Sequence, residues 1–381
     1  MKCKLGDICE IVSGSTPKSN VDEYWDGDIK WITPAELSDD SYIIYDSVRK
    51  ITDIGVKKTA LKPFPAGTVI LSSRAPIGKV AIAGCEMYCN QGFKNLICSE
   101  VINNRFLFWF LKGHTEYLNS LGRGATFKEI SKQIVENIEI DVPNMEEQLR
   151  AVNQFEKIRG MILLRKQQLT ELDTLVKARF VEMFGDIILN PFMWKKASLG
   201  ETCDVRDGTH DSPQYYETGY PLVTSKNVTG GKIDLTDCSL ICESDFKKIN
   251  ERSKVDMGDI IMPMIGTVGK PVIVDIEPRF AIKNVCLIKF KDDSSVLNIY
   301  IRALLQSDYF NDAVLSKVRG GTQKFISLGD IRKLEVLVPP MDIQKQFAAF
   351  VTQINQTQSV VQKALDEAQT LFDSLMQQYF G

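Results

Sequence analysis

The feature that most constrains the fold of this sequence is an internal repeat whose later part keeps a constant register. Residues 142–148 (VPNMEEQ) recur as residues 338–344 (VPPMDIQ), an offset of 338 − 142 = 196. The same offset relates Phe184-Gly185 to Phe380-Gly381, so no residue is inserted or deleted between these motifs in either copy. A segment of such constant length indicates a rigid connecting element in each copy.

The earlier part of the repeat varies in length. Its offset is 194 for residues 5–6 with 199–200, 191 for 67–70 with 258–261, and 189 for 93–95 with 282–284. A period of about 190 residues is too long for a solenoid and indicates a duplicated domain with its connector, related by pseudo-twofold symmetry. We therefore divide the chain into a first domain (1–142), a central long helix and linker (143–192), a second domain (193–338) and a C-terminal long helix (339–381).

Both connectors are predicted to be long helices. Residues 145–184 contain no proline, and Gly160 is their single glycine. Apolar side chains recur at steps of three, four and seven residues, the spacing of one helix face. The two stripes are Val152, Phe155, Ile158, Ile162, Leu169, Leu172, Val176 and Met183, and then Phe347, Phe350, Ile354, Val361, Leu365, Ala368, Phe372 and Leu375. A helix of about 40 residues is about 60 Å long.

A one-sided apolar stripe of this length must be buried against another surface. We expect the two helices to pair as an antiparallel coiled coil, because their lengths match and one inserted residue would rotate the apolar face by about 100°. The alternative is that each helix packs on the domain that precedes it in the chain. Pairing would hold the two domains at a fixed separation.

The two domains have an α+β pattern. Short apolar segments bounded by turns predict strands, and helical segments interrupt them. The predicted strands include residues 68–71, 80–83, 272–274 and 285–288, and the predicted helices include residues 105–111 and 300–305. The predicted fold class is therefore α+β, with two similar domains separated by two long helices.

The charge balance excludes a strongly basic domain. Residues 1–142 contain 17 Lys and Arg against 18 Asp and Glu, and residues 193–338 contain 20 against 20. A nucleic-acid partner would therefore bind a locally basic surface, because neither domain attracts it by net charge. With no membrane-spanning run, no apolar signal core after Met1 and no disulfide framework among nine cysteines, we predict a cytoplasmic protein with reduced thiols.

Glycine-rich polar loops between the predicted strands are candidate binding elements. They occur in both copies, at residues 13–18, 72–79 and 90–95, and at residues 207–213, 263–270 and 319–324. Arg, Lys, Gln and Asn side chains can hydrogen-bond to base edges, and Ser, Thr and Lys can bind phosphates. For any one loop a solvated turn is the simpler interpretation, but the recurrence of the whole set favours nucleic-acid binding.

No catalytic or metal-binding motif is complete. Residues 266–270 (GTVGK) lack the glycine spacing and the Ser or Thr of a phosphate-binding loop. The only histidines are His114 and His210, so a zinc site is not expected. His210 has no acidic partner fixed by spacing, and we interpret it as a turn or ligand-facing residue rather than a general base. We predict a binding protein without a catalytic centre, metal or cofactor of its own.

A set of short motifs follows a fixed order along the chain. They are LGDI at 5–8, SGSTP at 13–17, WITP at 31–34, GTVI at 67–70, IGKV at 77–80, NQGF at 90–93, FGD at 184–186, DGTHDSP at 207–213, and Pro-x-x-(Glu/Asp)-x-Gln at the start of each long helix. In their order and duplication these motifs resemble the specificity subunits of type I restriction–modification systems, over essentially the whole chain.

The resemblance implies a function in a multisubunit complex. The two α+β domains would be target-recognition domains, each binding one half of a split DNA target, and the helix pair would fix the length of the spacer between the halves. Two modification subunits would bind S-adenosylmethionine and methylate a flipped adenine. Restriction subunits that hydrolyse ATP would cleave the DNA, so the specificity subunit itself would be non-catalytic.

We predict contacts with double-stranded DNA from loop residues of both domains. The first half-site is assigned to Thr16, Lys18, Arg74, Lys79, Gln91 and Lys94, and the second to Thr209, His210, Lys226, Lys270 and Lys283. Phosphates near the junctions of domains and helices are assigned to Arg123, Lys128, Arg319 and Lys324.

Two other functions are compatible with parts of the sequence. One is a structural adaptor whose two α+β domains bind proteins or glycans across a coiled-coil spacer. Copurification distinguishes it, because a specificity subunit requires a methyltransferase partner. The other is an autonomous nuclease or methyltransferase, which the missing motifs disfavour and which requires activity of the pure chain.

Overall fold

Short strands and helices alternate along the first and third parts of the chain, and a 40-residue helix follows each part. The computed structural model describes residues 1–74, 76–124, 128–264, 269–314 and 325–381. These residues form two compact units. Unit 1 combines Met1–Lys166 with Lys363–Gly381, and unit 2 is Gln167–Gln362, so each long helix has one end in each unit.

The first α+β domain consists of ten short strands and five short helices among its described residues. The strands are β1 Lys2–Lys4, β2 Cys9–Val12, β3 Trp25–Ile32, β4 Ile43–Ile44, β5 Lys50–Ile51, β6 Val69–Leu71, β7 Val80–Ala83, β8 Tyr88–Cys89, β9 Asn95–Cys98 and β10 Glu139–Asp141. The helices are α1 Leu5–Ile8, α2 Asp53–Thr59, α3 Asn104–Gly113, α4 Thr115–Ser120 and α5 Lys132–Glu136, followed by the long helix α6 Met145–Phe184.

The second α+β domain has a similar order of elements. Its strands are β11 Lys195–Ser198, β12 Asp204–Asp207, β13 Tyr220–Val223, β14 Val228–Thr229, β15 Lys232–Ile233, β16 Ser239–Ile241, β17 Ile260–Pro263, β18 Val272–Ile273, β19 Ala281–Ile282, β20 Val285–Lys289 and β21 Glu335–Val338. Its helices are α7 Leu199–Thr202, α8 Glu243–Ser253, α9 Asn298–Leu305, α10 Asp308–Ala313 and α11 Leu328–Arg332, followed by the long helix α12 Met341–Phe380.

Each domain is built mainly on two small sheets of similar topology, and the larger sheet of unit 1 has an additional edge strand, β4. In unit 1 the strand orders are β2-β9-β6-β7-β4 and β5-β3-β8, and in unit 2 they are β12-β20-β17-β18 and β16-β13-β19. The smaller sheet of each unit contains one parallel pair, β3 with β8 and β13 with β19. Strands β6, β7 and β17 are buried along their whole length, which explains their continuous apolar sequences. The α+β class and the duplication are confirmed.

Strand pairing corrects one part of the sequence repeat. The parallel pairs place Cys89 at the end of β8 and Ile282 at the end of β19, an offset of 282 − 89 = 193. The match of residues 93–95 with 282–284 at offset 189 is therefore wrong. Lys94 immediately precedes β9, whereas Lys283 immediately follows β19. The sequence match pairs Lys94 with Lys283 because their neighbours are similar, although the two lysines occupy different places in the fold.

In unit 1 the first half of α6 runs antiparallel to the last part of α12. Ile158 and Ile162 of α6 pack against Ala368 of α12. One helical turn before Ile158, Gln154 Oε1 accepts a hydrogen bond from the Tyr379 hydroxyl at 2.9 Å. Increasing residue numbers in α6 therefore meet decreasing numbers in α12, as the predicted antiparallel pairing requires.

The same two helix segments complete the core of the first domain. Phe155 of α6 stacks on Phe380 of α12, with ring centroids 5.7 Å apart and an interplanar angle of 11°. Its ring also stacks on Trp109 of α3 at 5.3 Å, and Trp109 meets Phe372 of α12 edge-on at 5.5 Å. Buried aromatic rings remove large apolar areas from water, so this cluster fastens both helices to the domain.

Unit 2 repeats this arrangement with the helices exchanged. Phe184, at the end of α6, lies 4.7 Å from the ring of Tyr300 in α9 and 5.3 Å from the ring of Phe347 in α12. Gln358 of α12 donates a hydrogen bond to Asp173 Oδ1 of α6 at 2.7 Å. Phe184 and Phe380 are related by the 196-residue offset, and each packs in the unit that contains the other domain of the chain.

The two expectations for the long helices are not alternatives, because both hold. The helices pair, and each also packs on the domain that precedes it through its first turns. The predicted stripes omit four buried apolar residues, Ala151, Phe180, Phe184 and Val351. These side chains face the domain core rather than only the partner helix, so the buried face is wider than one stripe.

A buried glutamine fixes the start of α6 to the first domain. Gln148 Oε1 accepts a hydrogen bond from the backbone N–H of Asn103 at 2.8 Å. Its Nε2 donates to the carbonyl oxygens of Val101 and Pro143 at 3.0 and 2.9 Å. The side chain therefore ties the segment before α3 to the segment before α6.

Gln344 makes the same three contacts at the start of α12. Its Oε1 accepts from Leu297 N–H at 2.8 Å, and its Nε2 donates to Ser295 O and Pro339 O, both at 2.9 Å. Both glutamines are fully buried. The glutamine of the Pro-x-x-(Glu/Asp)-x-Gln motif thus has a structural role, because both polar atoms of its buried amide make hydrogen bonds.

Replacing Gln344 with Ala is expected to lower the free energy of unfolding by about 1–3 kcal/mol, because it leaves buried backbone groups of Leu297, Ser295 and Pro339 without a partner. Urea unfolding measures the change. Gln353→Ala, at an exposed position of the same helix, is the matched control and should change stability by less than about 0.5 kcal/mol. Equal losses in the two variants would contradict the assignment.

Candidate nucleic-acid interface

The first loop of each domain is held against the parallel strand pair at a glycine. A Cβ on Gly14 would overlap the carbonyl oxygen of Cys89, and a Cβ on Gly208 would overlap that of Ile282. Only glycine therefore lets the loop cross the strand at this point. The residue after each glycine donates its backbone N–H to the same carbonyl, at 3.1 Å in unit 1 and 3.0 Å in unit 2.

In unit 2 this loop places His210 between an amide and a carboxylate. Its Nδ1 lies 2.8 Å from Asn284 Oδ1, and its Nε2 lies 2.8 Å from Asp207 Oδ2. The His210 side chain is 61% exposed, whereas that of Asp207 is 11% exposed. Arg252 of α8 hydrogen-bonds to the other oxygen of Asp207. The imidazole of His210 is thus exposed to solvent, whereas its two hydrogen-bond partners, Asp207 and Asn284, are more buried.

The expectation that His210 has no acidic partner is wrong. Asp207 stands three residues earlier, at the end of β12, and the turn at Gly208 brings its carboxylate back to the imidazole. Two hydrogen bonds raise the pKa of His210 above its ordinary value, and the one with Asn284 contributes more than the one with Asp207. Both contacts favour the protonated ring, because an imidazolium donates from both nitrogens.

Two other predicted residues of unit 2 lie beside His210. Thr209 forms a parallel bridge with Lys283, and its hydroxyl accepts a hydrogen bond from Asp211 N–H at 3.1 Å. Lys283 donates to Ser212 Oγ at 2.8 Å. A concavity of about 420 Å³ opens here, lined by the loop from Thr209 to Pro213 and by one face of α8.

Lys226 lines a neighbouring concavity of about 510 Å³. Its wall also contains Tyr215, Ser239 and Asn284. Asn284 is therefore shared between the His210 contact and this second concavity. The structure brings Thr209, His210 and Lys283 together and connects them to the exposed Lys226 through Asn284.

In unit 1 the equivalent loop makes a similar contact. Thr16 Oγ1 donates a hydrogen bond to Gln91 Oε1 at 2.5 Å, and both residues are exposed. Lys18 is exposed as well, and its backbone carbonyl accepts a hydrogen bond from Trp25 Nε1 at 3.1 Å. Three of the residues predicted for the first half-site therefore lie on one accessible surface of the first loop and the β8–β9 connection.

Arg74 and Lys94 share one carboxylate. Glu129 Oε2 lies 3.7 Å from Arg74 Nη1, and Glu129 Oε1 lies 3.3 Å from Lys94 Nζ. The Lys94 side chain is 8% exposed and also donates to Ser73 Oγ at 3.2 Å. Arg74 is half-buried, and it presents the more accessible charge of the pair.

The remaining predicted residues of unit 1 differ in how much of their side chain is available. Lys79 is half-buried and donates to the carbonyl oxygen of Leu37. Arg123 and Lys128 are exposed, and Arg123 exchanges two backbone hydrogen bonds with Glu129 at 3.0 and 2.9 Å. The Arg123–Glu129 bridge thus brings these cations next to Arg74.

Lys270 is separate from the His210 group. It lines a concavity of about 390 Å³ whose wall includes Asp173 and Lys177 of α6 and Arg302 of α9. Burial lowers the pKa of Arg302 below its ordinary value. Arg319 and Lys324 lie outside the described residues.

Several residues of this surface were not predicted from the sequence. Asn284 stands in a motif that the repeat had aligned incorrectly, and the corrected offset identifies it as the counterpart of Gln91. Glu129 and Arg252 have no signal in the sequence, because tertiary packing alone brings them to Arg74 and Asp207.

Two searches of the described ranges gave no site. No group of three or more His, Cys, Asp or Glu side chains stands close enough to hold a metal ion in this part of the chain. No helix among the described residues is both long and apolar enough to cross a membrane.

Replacing Asp207 with Asn is expected to lower the pKa of His210, because the imidazolium loses its carboxylate partner. Because the pKa of His210 is raised in the folded chain, its contact with Asp207 stabilises the fold below about pH 6.5. This stabilisation is lost as the pH rises through the pKa of His210 in the folded chain. NMR titration measures this directly, since the chain has two histidines and His114 serves as the internal control. An unchanged His210 pKa in the variant would contradict the assigned contact.

Comparison with known proteins identifies the family. The profile described as Type I restriction modification DNA specificity domain matches residues 1–174 and 191–369. The chain is 31% identical over 402 residues to the Type I restriction enzyme MjaIX specificity subunit of Methanocaldococcus jannaschii, covering 96% of this chain and 90% of that protein. It is 22% identical over 397 residues to the MjaVIII specificity subunit of the same organism, covering 98% and 90%.

The fold comparison agrees with the sequence comparison. The S subunit of a type I restriction-modification system from M. genitalium has a similar fold, with a TM-score of 0.60, 15% sequence identity, and coverage of 100% of this chain and 96% of that one. The family profile matches twice, once in each half of the chain. The chain therefore belongs to the family of type I restriction–modification specificity subunits and carries two DNA specificity domains.

Proposed function

We propose that this chain recognises a bipartite target in double-stranded DNA, with one α+β domain binding each half. The observation that carries the proposal is the duplicated loop geometry. In both units a glycine brings the first loop against the parallel strand pair, and a side chain of that loop contacts an amide on the next connection. Two recognition surfaces of one design on one chain suit a target with two separate half-sites.

Loop residues are proposed to contact the DNA directly. At the first half-site these are the exposed Thr16, Lys18 and Gln91, and at the second they are the exposed His210 and Lys226 with the half-buried Thr209 and Lys283. Arg74, Lys79, Arg123 and Lys128, together with Lys270, Arg319 and Lys324, are proposed to bind phosphates. Phosphate contacts fix the register of the protein on DNA, whereas contacts to base edges supply specificity.

Lys94 is proposed to have a different role from the one first assigned to it. Its ammonium is buried against Glu129 and Ser73, so it has little surface left for DNA. A buried charge that is paired in this way orients its partner. We assign Lys94 to positioning Glu129, which in turn positions the guanidinium of Arg74.

The long helices are proposed to bind the partner subunits. They carry exposed apolar side chains that neither unit buries: Met161, Leu163, Leu164, Leu175 and Val181 on α6, and Val360 and Leu371 on α12. Exposed apolar surface of this kind is typical of protein–protein interfaces. Two modification subunits would dock here and, with S-adenosylmethionine, methylate a flipped adenine. Restriction subunits would supply ATP-dependent cleavage, so this chain contributes recognition and no catalysis.

The near-neutral charge of the domains bears on how the DNA is held. Non-specific DNA binding depends mainly on the number of phosphates neutralised by Lys and Arg. With 17 basic against 18 acidic residues in the first domain, the chain alone offers little general attraction. The partner subunits are therefore proposed to supply most of the binding affinity in the cytoplasm, while this chain selects the sequence.

The decisive experiment is to sequence methylated bases in the DNA of a host that expresses the modification subunits, with and without this chain. The proposal predicts one bipartite adenine-methylation motif with a spacer of constant length, present only with the chain. Deleting the chain while the modification subunits remain is the matched control. A contiguous motif, or the same methylation without the chain, would contradict the proposed function.

A further inference from the structure

The corrected repeat reveals that Gln91 and Asn284 are equivalent positions. Gln91 stands two residues after Cys89, and Asn284 stands two residues after Ile282, the residues that the parallel strand pairs align. In both copies the amide oxygen contacts a side chain of the first loop, Thr16 in unit 1 and His210 in unit 2, and these two residues occupy equivalent positions. The fold therefore presents a carboxamide at the same place in both units.

Asn284 has a left-handed backbone conformation. Its φ of +55° lies in the left-handed region, which Asn adopts more readily than other residues with a side chain. Its amide lines the concavity that also contains Tyr215 and Lys226. Among the described residues Oδ1 contacts His210, and Nδ2 has no hydrogen-bond partner. The free Nδ2 group of a residue that lines an open concavity is available to a ligand.

The hydrogen bonds of His210 connect its protonation to the orientation of this amide. Asp207 is an acceptor, so Nε2 of the ring carries a proton. The protonated ring also carries a proton on Nδ1 and donates it to Asn284 Oδ1. The neutral ring has an acceptor at Nδ1, and it then requires the Nδ2 group of Asn284 instead. Exchange of one proton on His210 therefore reverses the amide of Asn284.

The charged groups around His210 define the environment in which it titrates. Asp207 comes from β12 and Arg252 from α8, and both belong to the same hydrogen-bonded group. The others that line or adjoin the concavity are Asp211 on the loop, Asp245 and Lys248 on α8, and Lys283 after β19. Positive and negative groups are both present, and the carboxylate of Asp207 makes the closest contact with the ring.

We propose that Asn284 is a specificity-determining residue for the second half-site and that His210, with Asp207, positions its amide according to pH. The inference rests on the proposed function. With His210 protonated, Asn284 Oδ1 is occupied and the free N–H groups suit base acceptors, such as guanine O6 and N7 or thymine O4. With His210 neutral, Oδ1 and one N–H are free, which is the pair that an adenine N6 and N7 edge requires.

The first half-site lacks this property. Gln91 contacts the hydroxyl of Thr16, which does not titrate near neutral pH. Recognition by Gln91 is therefore independent of pH. The two equivalent amides give one chain a titrating half-site and a constant half-site, and the constant one is an internal control for the other.

The test is selection of bound duplexes from a library with both half-sites randomised, using the full complex with its modification subunits. Selection is done at about pH 6, below the ordinary histidine pKa, and at about pH 9, well above it. We expect one position of the second half-site to change its base preference toward adenine at the higher pH by about fivefold or more. The first half-site should be the same at both pH values. His210→Phe should remove the pH dependence.

Asn284→Gly keeps the left-handed backbone and removes the amide, so it should abolish base preference at that one position at both pH values. Gln91→Ala should do the same at one position of the first half-site only. A wild-type complex that selects a bipartite target with no pH dependence, or a retained preference in Asn284→Gly, would overturn this inference and leave the proposed function intact. Selection of no bipartite target at either pH would overturn both.

Discussion

The structure depends on the exchange of helix ends between the two units. Phe184 ends α6 in the core of unit 2, and Phe380 ends α12 in the core of unit 1. Each α+β domain is therefore completed by a helix that begins at the other domain. A change in the length of α6 would pull the fully buried ring of Phe184 out of register, at a cost of about 3–5 kcal/mol. The same change in α12 would displace the partly buried ring of Phe380. This interaction explains why the 196-residue offset is constant.

The domains are under a different constraint. Their offsets vary between 191 and 194, because loops on the surface of a sheet accept insertions at little cost. Within this variation the core contacts remain. Gly14 and Gly208 cross equivalent strands of their own units, and Gln148 and Gln344 make three equivalent hydrogen bonds. These glycines and glutamines thus fix the backbone of both domains, while the side chains on the loops can differ between the two copies.

Sequence reasoning succeeded where periodicity carries the information. It predicted a first long helix over residues 145–184 and a second within residues 339–381, where the structure has Met145–Phe184 and Met341–Phe380. It also predicted the strand Val80–Ala83, because spacing along the chain reports burial directly. It failed where contacts join distant segments. The burial of Lys94 against Glu129 and the His210–Asn284 contact depend on strand register, which the sequence match misplaces by four residues (193 − 189 = 4). The Asp207–His210 contact is local and depends instead on the turn at Gly208, which residue spacing alone does not reveal. The DNA-contact residues therefore remain proposals that the fold makes more specific.

The central claim is that each unit recognises one half of the target independently while the helix pair keeps them in register. The measurement that tests it most directly is methylation-site sequencing with a hybrid chain, in which residues 193–338 are replaced by the corresponding segment of the MjaIX specificity subunit and both long helices are retained. The account predicts that the first half-site and the spacer length stay unchanged and that only the second half-site changes. Changes in both half-sites, or in neither, would contradict it.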